Sequence, residues 1–442
     1  MITFKKGGIH PEENKFAANS PIETFPVPEQ AVIFLGQHLG VPAVPKVSKG
    51  DTVKTGQLIA QGESFISANI HAPISGKVAK IEMIPDISGL KKEAIVIDRE
   101  GDVWDESIDL STELKREITL TKEEIINRIK NCGVVGLGGA CFPTHVKYMT
   151  PPDKKVDYII INAAECEPYI SADHRIMLER GEECLIGIEA LLKASGAPKA
   201  LIGIENNKKD AVKHLTQLAE KHPNIKVFPL QVKYPQGAEK QLIQALTNRR
   251  VPAGKLPIEV GVIVNNITTT LAVYEAVQKN KPLIETYTTV SGKKVTNPKN
   301  FKIRIGTPID SILTSVGIPE NTEKIISGGP MMGKAIAQIT SSVTKGMSSL
   351  LLLDESESKR GEVYNCLRCG RCISICCMGL EPNLLTPLAT SKRYEECEKN
   401  GIMNCAECGS CQFECPANRP LLDWIRLGKQ GTGAMINSRK KQ

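Results

Sequence analysis

Eight of the fourteen cysteines of this 442-residue chain fall into two copies of one spacing, Cys-x2-Cys-x2-Cys-x3-Cys. This spacing lets a short segment present thiolates to a cubane iron–sulfur cluster, and in two-cluster proteins the fourth cysteine of each run ligates the other cluster. We therefore predict two [4Fe–4S] clusters and single-electron transfer. The first cluster is assigned to Cys366, Cys369, Cys372 and Cys415, and the second to Cys405, Cys408, Cys411 and Cys376.

Two other chemistries of cysteine fit the pattern less well. Structural zinc sites use isolated Cys-x2-4-Cys pairs, often together with histidine, rather than triplets plus a fourth cysteine. Disulfide frameworks belong to secreted chains, and the N-terminal residues Met1–Lys6 lack the apolar stretch of a secretory signal. The cysteines therefore predict a reducing compartment, either the cytoplasm or the cytoplasmic face of a membrane.

The ends of the two cysteine runs differ. The second run continues with a proline, Cys415-Pro416, whereas the first reads Cys376-Cys377. The x3 spacing favours Cys376 as the ligand, and Cys377 stands beside it as a spare thiol that could substitute for it.

Composition limits the other classes of function. Lys and Arg exceed Asp and Glu by 56 to 49, and the net charge of +7 is spread along the chain. The aromatic content of 4% disfavours a stacking surface for single-stranded nucleic acid. No apolar run approaches the roughly 18–20 residues of a membrane-spanning helix. A soluble chain on the cytoplasmic side is expected, with neither a nucleic-acid partner nor a span of its own.

A glycine-rich loop at residues 136–147, Gly-Leu-Gly-Gly-Ala-Cys-Phe-Pro-Thr-His-Val-Lys, is the second informative stretch. Glycines let backbone amides approach a phosphate or a flat ring closely. Lys147 can neutralise a phosphate or a reduced flavin. A glycine-rich loop alone is weak support, because many such loops are simple turns.

Three further polar loops accompany strands of the same region, at residues 162–168, 234–240 and 265–269. Their Asn and Thr side chains can pair with the edge of a flavin ring or with its hydroxyls. The structural alternative is that they are helix caps without a binding role, which Asn and Thr often are. Four such loops at one sheet favour a binding site.

The loops lie in a region of alternating predicted strands and helices. Thr121 and Glu124 form a capping box before a helix. Strands and helices then alternate, which predicts a parallel sheet covered by helices, with its site at the carboxyl ends of the strands. The predicted strands are residues 156–161, 199–205, 225–230 and 260–264, and the predicted helices include 173–194 and 208–221.

The flanking segments predict three smaller modules. The first resembles the biotinyl/lipoyl carrier sandwich, but Phe65 holds the place of the carrier lysine, so only the fold is implied. A β-grasp module of the soluble-ligand-binding type follows, with a helix that starts at N-cap Thr307 and Pro308. A helical two-cluster domain ends the chain. The predicted α/β multidomain chain comprises residues 1–115 (β barrel-sandwich), 116–282 (α/β), 283–345 (β-grasp), 354–425 (two-cluster ferredoxin type) and 426–442 (basic tail).

The motifs resemble a known family. The glycine loop with Phe-Pro-Thr and lysine, the Asn-Ala-x-Glu-x-Glu-Pro loop and the Val-Asn-Asn loop are similar to the flavin subunit of respiratory NADH dehydrogenase. With Gly-Gly-Ile-His-Pro at residues 7–11 and the cysteine runs behind, the whole chain resembles the RnfC component of the Rnf complex. That complex is an ion-translocating ferredoxin:NAD oxidoreductase.

The resemblance implies non-covalent FMN and NAD(H) in the α/β domain. The implied pocket residues are Gly136, Gly138, Gly139, Ala140, Phe142, Lys147, Asn162, Glu165, Glu167, Tyr234, Gly237, Glu239, Asn265, Asn266 and Thr268. Phe142 is expected near the nicotinamide or adenine. Where the dehydrogenase loop has an arginine this chain has Leu137, so an arginine contact does not transfer. Cys141 and Cys166 are interpreted as small buried residues.

The implied activity is conversion of hydride transfer into single-electron transfer, and no side chain needs a catalytic proton role. The implied partners are integral membrane subunits, an iron–sulfur subunit and, indirectly, ferredoxin. The chain is then a peripheral protein on the cytoplasmic side of the inner membrane. Two alternatives stay open: a soluble corrinoid reductase of the propanediol-utilisation type, and a non-enzymatic electron conduit.

Overall fold

The structure is a computed structural model that describes residues 1–439. Two small antiparallel sheets form the N-terminal part, with strand orders β2-β8-β7-β4 and β3-β5-β6. Their alternating apolar side chains, among them Ile33, Ile59 and Ile95, meet in one core. The strands are β1 (Ile22–Thr24), β2 (Gln30–Phe34), β3 (Val44–Pro45), β4 (Thr52–Val53), β5 (Leu58–Gln61), β6 (Ile70–His71), β7 (Gly76–Pro85) and β8 (Lys91–Arg99).

A four-stranded parallel sheet lies at the centre of the chain, in the order β11-β10-β9-β12. Its middle strand reads Tyr-Ile-Ile-Ile-Asn-Ala and is buried, as expected for a strand covered by helices on both faces. The elements are α1 (Lys122–Asn131), α2 (Thr144–Tyr148), β9 (Tyr158–Ala163), α3 (Ala172–Glu179), α4 (Gly181–Ser195), β10 (Lys199–Glu205), α5 (Lys209–Ala219), β11 (Ile225–Leu230), α6 (Glu239–Thr247), β12 (Val262–Asn266) and α7 (Ile267–Lys279). A short 3-10 turn spans Pro257–Val260.

The strand order places a topological switch between β9 and β12. The chain runs outward from β9 through β10 to β11 and then returns to the other side of β9. In open α/β sheets a ligand crevice lies outside the carboxyl ends of the strands at such a switch. The ends in question are Ala163 on β9 and Asn266 on β12, where two of the predicted loops begin.

Local predictions in this region succeed and fail for identifiable reasons. The capping box is confirmed, with Thr121 and Glu124 exchanging hydrogen bonds at the start of α1. The single helix predicted over 173–194 is wrong, because the chain breaks at Arg180 (φ −131°, ψ 27°) into α3 and α4. Arg180 instead donates to Glu183 (2.7 Å), and Gly181 sits tightly against Leu215 and Leu218 of α5.

The fourth sheet has six strands in the order β1-β14-β13-β17-β15-β16, and thus takes one strand from the N-terminal part. The predicted cap at Thr307 is wrong: its hydroxyl donates to the Arg304 carbonyl (2.7 Å), and Pro308 is the N-cap residue. The elements are β13 (Glu285–Ser291), β14 (Lys299–Arg304), α8 (Ile309–Val316), β15 (Thr322–Ser327), β16 (Lys334–Ala335) and β17 (Ser349–Asp354).

The C-terminal part is helical, and its longest helix packs against α11. Its helices are α9 (Glu355–Ser358), α10 (Arg371–Ser374), α11 (Pro382–Thr390), α12 (Tyr394–Lys399), α13 (Ser410–Phe413) and α14 (Leu421–Arg439), with a 3-10 turn at Ile402–Asn404. The sequence predicts a basic tail over residues 426–442. Of these, residues 426–439 lie in α14, and residues 440–442 lie outside the described part of the chain. Within residues 1–439, no helix combines the length and apolarity needed to span a membrane.

Candidate functional site

The glycine loop lies on the N-terminus of α7. The Leu137 amide donates to the Thr269 hydroxyl (3.0 Å). Gly138 is pressed so closely against Asn266 that an added Cβ would lie 2.7 Å from its side-chain nitrogen. Gly139 faces the other way, with no atom within 4 Å of the position of a Cβ. Gly138, Gly139 and Ala140 are exposed, so the loop offers backbone to an open face of the site.

Two side chains and the backbone close the far end of this loop. The Gly136 amide donates to the Phe142 carbonyl (2.9 Å), which holds the loop in a tight turn. Lys147, on α2, donates to the Val264 carbonyl of β12 (2.7 Å). Burial lowers the pKa of Lys147, and the nearby Glu239 carboxylate partly opposes this. The Lys147 ammonium is therefore buried against the carboxyl end of β12, whereas Phe142 in the glycine loop is half-buried.

The loop after β9 carries two buried carboxyl groups. Glu165, at a positive φ of 49°, accepts a hydrogen bond from the Asp173 amide (2.7 Å). Glu167 accepts from the Met331 amide (3.0 Å). Burial raises the pKa of Glu165, and the Lys15 ammonium opposes this rise. Burial raises the pKa of Glu167 to about 7.

The loop before α6 packs on the loop after β9 and reaches the cysteines. Asn162 donates to the Gly237 carbonyl (2.9 Å), and a Cβ at Gly237 would lie 3.1 Å from Asn162 Oδ1. The buried Tyr234 hydroxyl donates to the Cys408 carbonyl (2.8 Å). Glu239 lies at the first position of α6. Tyr234 thus joins the nucleotide-type loops to the second cysteine run.

The end of β12 is organised around a residue that sequence reasoning missed, Asp173. Asn265 donates to the Tyr148 hydroxyl (2.6 Å). Asn266 caps α7 by accepting from the Thr268 amide (2.8 Å) and donates to Asp173 (2.6 Å). The Thr268 hydroxyl donates to the other oxygen of the same carboxylate (2.5 Å). Burial raises the pKa of Asp173, and these hydrogen bonds oppose the rise.

Two lysines that the sequence patterns did not predict as site residues, Lys15 and Lys208, bind backbone carbonyls of the loop after β9. The Lys15 ammonium donates to the carbonyls of Glu165 (2.8 Å), Glu167 (2.8 Å) and Ile170 (2.5 Å), which uses all three of its N–H groups. Lys208 donates to the Ala164 carbonyl (2.7 Å). Lys15 lies about 150 residues earlier in the chain, and no local pattern marks it.

The fourth cysteine of the first run lies with the first three of the second run. Cys376, Cys405, Cys408 and Cys411 wall an apolar cavity together with residues such as Leu380 and Leu422. Backbone amides donate to two of these sulfurs, Leu380 N to Cys376 (3.3 Å) and Glu407 N to Cys405 (3.4 Å). Burial, reinforced by the neighbouring thiols, raises the pKa of Cys411. We call these four residues the inner set.

The remaining four cysteines form a second group, which we call the outer set. Burial raises the pKa of Cys372, and the thiols of Cys415, Cys366 and Cys369 add to the rise by their proximity. Cys366 and Cys369 are exposed. The structure thus brings together the two groups of four that the crossed assignment predicts.

The inner set suits a cluster better than a single ion. Within residues 1–439, no three His, Cys, Asp or Glu side chains converge closely enough to hold one metal ion. A cubane cluster separates its four thiolate ligands by an iron–sulfide core, whereas zinc draws its ligands to about 2.3 Å from one atom. Four thiols around an apolar cavity therefore fit a [4Fe–4S] cluster.

The two further cysteines considered above, Cys141 and Cys166, are both half-buried. Burial raises the pKa of Cys141 to about 11 and raises that of Cys166 further. Cys166 Sγ accepts from the Gly237 amide (3.3 Å). Neither belongs to the inner or the outer set.

Two family models match the chain. Residues 2–102 match the RnfC barrel sandwich hybrid domain, and residues 129–275 match the Nuo51 FMN-binding domain. The first covers the two small N-terminal sheets, and the second covers the glycine loop and the parallel sheet. The predicted barrel-sandwich and flavin-type α/β folds are thereby confirmed.

Full-length relatives are also found, all of them C subunits of their complexes. The chain is 44% identical over 97% of its length to that of the proton-translocating ferredoxin:NAD(+) oxidoreductase complex of Clostridium ljungdahlii, 94% of which is covered. It is 40% identical over 96% of its length to the Na(+)-translocating counterpart of Acetobacterium woodii, with 96% covered. The corresponding protein of the ion-translocating oxidoreductase complex of Rhodobacter capsulatus is 38% identical, over 99% of this chain and 84% of that one.

The fold has a counterpart among solved structures. A chain in the crystal structure of an NAD+-reducing [NiFe]-hydrogenase in the H2-reduced state superposes with a TM-score of 0.50 and 19% identity. The match covers 71% of this chain and 62% of that one. At this identity the likeness concerns the fold alone.

Proposed function

The chain belongs to the RnfC family of ion-translocating ferredoxin:NAD oxidoreductase complexes, and we propose that it is the NADH-oxidising subunit through which electrons enter such a complex. The activity is conversion between hydride transfer and single-electron transfer, with NAD(H), non-covalent FMN and two [4Fe–4S] clusters as cofactors. The coupled ion differs between its relatives, being a proton in one name and sodium in another.

One observation carries the proposal: Tyr234 belongs to the flavin-type site and donates directly to the Cys408 carbonyl of the inner set (2.8 Å). Glu167 of the same site accepts from the Met331 amide, and the Met331 carbonyl lies against Gly409 of the second cysteine run. The flavin-type site and the inner set are therefore neighbours. Electrons from NADH then reach the inner set first and the exposed outer set second.

We assign the flavin pocket to the residues around the switch point. The glycine loop and the N-terminus of α7 supply backbone donors, as such termini do for anionic ligands. Lys147 supplies positive charge, and Lys15 and Lys208 fix the loop that carries Glu165 and Glu167. When bound, FMN supplies the exchange between a hydride and single electrons. The protein excludes water, orients the ring and keeps the inner set close.

The finer architecture belongs to the same proposal. We take residues 1–115 as the barrel-sandwich module, 116–282 as the FMN and NADH domain, and 283–345 as a β-grasp module. The inner and outer sets make 354–425 a two-cluster ferredoxin-type domain, with 426–442 as its basic extension. The protein is peripheral, on the cytoplasmic side of the inner membrane, and its partners are integral membrane subunits and an iron–sulfur subunit that leads to ferredoxin.

The testing experiment is an anaerobic NADH titration of the reconstituted full-length protein, reading flavin absorbance and cluster EPR together. We expect the flavin to bleach and reduced-cluster signals to follow. If both stay silent although FMN, iron and sulfide are present, the chain is an electron conduit supplied by another subunit.

A matched pair of variants locates the flavin. In Lys147→Met we expect the FMN content to fall several-fold while iron and sulfide stay unchanged, because only the flavin pocket loses its buried cation. Lys154→Met removes a surface lysine paired with Glu259 (3.0 Å) and is expected to retain FMN. Equal FMN content in the two variants would contradict the pocket assignment.

A further inference from the structure

Cys377 is a fifth thiol at the inner set. It follows the ligand Cys376 directly, at the place where the second run has Pro416. Its side chain is 8% exposed and lines the same apolar cavity as the four cysteines of the inner set. The equivalent position of the outer set, Pro416, carries no donor and is exposed.

The Cys377 thiol lies among the sulfurs of the inner set, because its residue lines one cavity with Cys376, Cys405, Cys408 and Cys411. The Cys408 thiol itself donates to Ser410 Oγ (3.4 Å). The other sulfurs with hydrogen bonds in this cavity, those of Cys376 and Cys405, are reached by backbone amides.

The backbone around Cys377 is held from both sides by the flavin-type domain and the N-terminal segment. Gln241 of α6 donates to the Cys377 carbonyl (3.3 Å) and lies 3.2 Å from Met378 Sδ. On the other side, the Gly8 amide donates to the Ile375 carbonyl (2.9 Å). A side chain at Gly7 would collide with that carbonyl, at 2.4 Å. The backbone that carries the thiol is therefore held in place beside the inner set.

Because Cys376 completes the inner set and already accepts the Leu380 amide, Cys377 is left without a ligand role. We propose that Cys377 donates an S–H hydrogen bond to a sulfur of the inner cluster and thereby raises the reduction potential of that cluster. This inference rests on the proposed function, since it assumes that the inner set holds a [4Fe–4S] cluster.

The physical basis is charge. Reduction adds one electron to the cluster, and hydrogen bonds to its sulfurs stabilise the more negative state. Proline at this position offers no donor, whereas cysteine offers one without adding charge. The inner cluster, which lies next to the flavin-type site, is therefore the one whose potential is raised, and this favours electron acceptance there.

The test uses four variants of the full-length reconstituted protein: Cys377→Ala, Cys377→Pro, Cys377→Ser and, as the control, Cys397→Ala. Cys397 is a buried thiol of the same domain that lies on α12 and does not line the cavity. Iron and sulfide are counted first, and the midpoint potentials of both clusters are then measured by EPR-monitored redox titration.

We expect every variant to retain the wild-type iron and sulfide content. One of the two midpoint potentials should fall in Cys377→Ala and Cys377→Pro, stay close to wild type in Cys377→Ser, which keeps a donor, and not move in Cys397→Ala. Unshifted potentials with full iron content would overturn the proposal. Loss of half the iron in Cys377→Ala would overturn it too and make Cys377 the ligand. Wild-type protein that takes up no cluster would instead refute the proposed function.

Discussion

The two cysteine runs have the same spacing but lie in different surroundings. The segment 361–369, which carries Cys366 and Cys369, is exposed and is held by contacts within its own domain. Tyr364 donates its amide to the Ala417 carbonyl (3.0 Å), and Asn418 donates to the Glu362 carbonyl (3.0 Å). The second run is half-buried and is tied to the flavin-type domain by Tyr234 and to α14 by Lys429, which donates to the Cys405 carbonyl (2.8 Å).

In the proposed function, one cysteine motif used twice supplies two electron carriers with distinct roles. Burial and hydrogen bonds to sulfur set cluster potentials along with cluster type and charge. The inner set has an apolar cavity and a fifth thiol, whereas two cysteines of the outer set, Cys366 and Cys369, are exposed. We therefore propose that the inner set takes electrons from the flavin-type site and that the outer set gives them to a partner.

The largest effect that tests this comparison comes from removing one ligand of each set. Cys408→Ala and Cys369→Ala should each lose about half of the iron, since each destroys one of two clusters. Cys369→Ala should still show an NADH-reducible cluster by EPR. Cys408→Ala should show none, because the cluster that lies between the flavin and the outer set is lost. Equal behaviour of the two variants would refute the order of electron transfer.

The second prediction concerns Glu167, whose carboxyl accepts from the Met331 amide beside the second run. Its pKa of about 7 in the fold exceeds the ordinary value near 4.5. Stability is therefore lost as pH rises between these values, because the unfolded chain ionises first. Glu167→Gln removes this loss. The free energy of unfolding of the variant relative to wild type should rise by about 2.5 kcal/mol between about pH 5 and about pH 8.

Thermal unfolding across this pH range measures the effect. The control is Glu362→Gln, beside the first run, whose exposed carboxyl accepts from the Tyr364 hydroxyl (2.9 Å). We expect this exposed substitution to change the free energy of unfolding by no more than about 0.5 kcal/mol. If the curve of Glu167→Gln against pH runs parallel to that of wild type, the Glu167 carboxyl is not held in a buried site.

A smaller effect is expected from Tyr234→Phe, which removes the hydroxyl that donates to Cys408. The lost hydrogen bond should lower the free energy of unfolding by about 1 kcal/mol, and NADH-driven reduction of the inner cluster should slow while the FMN content is kept. Stopped-flow absorbance measures the rate. An unchanged rate would mean that this contact does not position the inner set.

The smallest effect belongs to the anchor of the first run. Arg360 and Asp423 form an exposed pair (2.5 Å) between the segment before that run and α14. Exposed pairs contribute little because water screens them. Arg360→Ala should therefore change the free energy of unfolding by no more than about 0.5 kcal/mol, with both clusters retained. A loss several times larger, measured by thermal unfolding, would show that the outer set depends on this pair.

Much of the central fold could be predicted because its signals are local. The strands predicted over 199–205 and 225–230 match β10 and β11 to the residue, since apolar runs with defined ends specify buried strands. The strand predicted over 156–161 lies two residues later, at Tyr158–Ala163, because Asp157 instead pairs its amide with the Gly261 carbonyl (2.8 Å). The break at Arg180 also escaped prediction, because the helical pattern continues through it.

The residues of the candidate site show the same division. Glycines, Asn-rich loop ends and cysteine spacings are visible in the sequence because each acts through its own backbone or its immediate neighbours. Asp173, Lys15 and Lys208 were not found, since they act on groups at other positions in the chain. Lys15 is the extreme case: one ammonium holds three carbonyls about 150 residues away.

The sequence alone identified the family and predicted the cofactor chemistry and the crossed assignment of the thiols, because these depend on residue types at short fixed spacings. Packing in the folded chain determines which set is buried, which set lies next to the flavin-type site and which cavity Cys377 lines. Those properties arise from packing between segments such as 234–241 and 375–411, which are brought together by folding. Spacing fixes which ligands are available, and packing fixes the burial and hydrogen bonds that set their potentials.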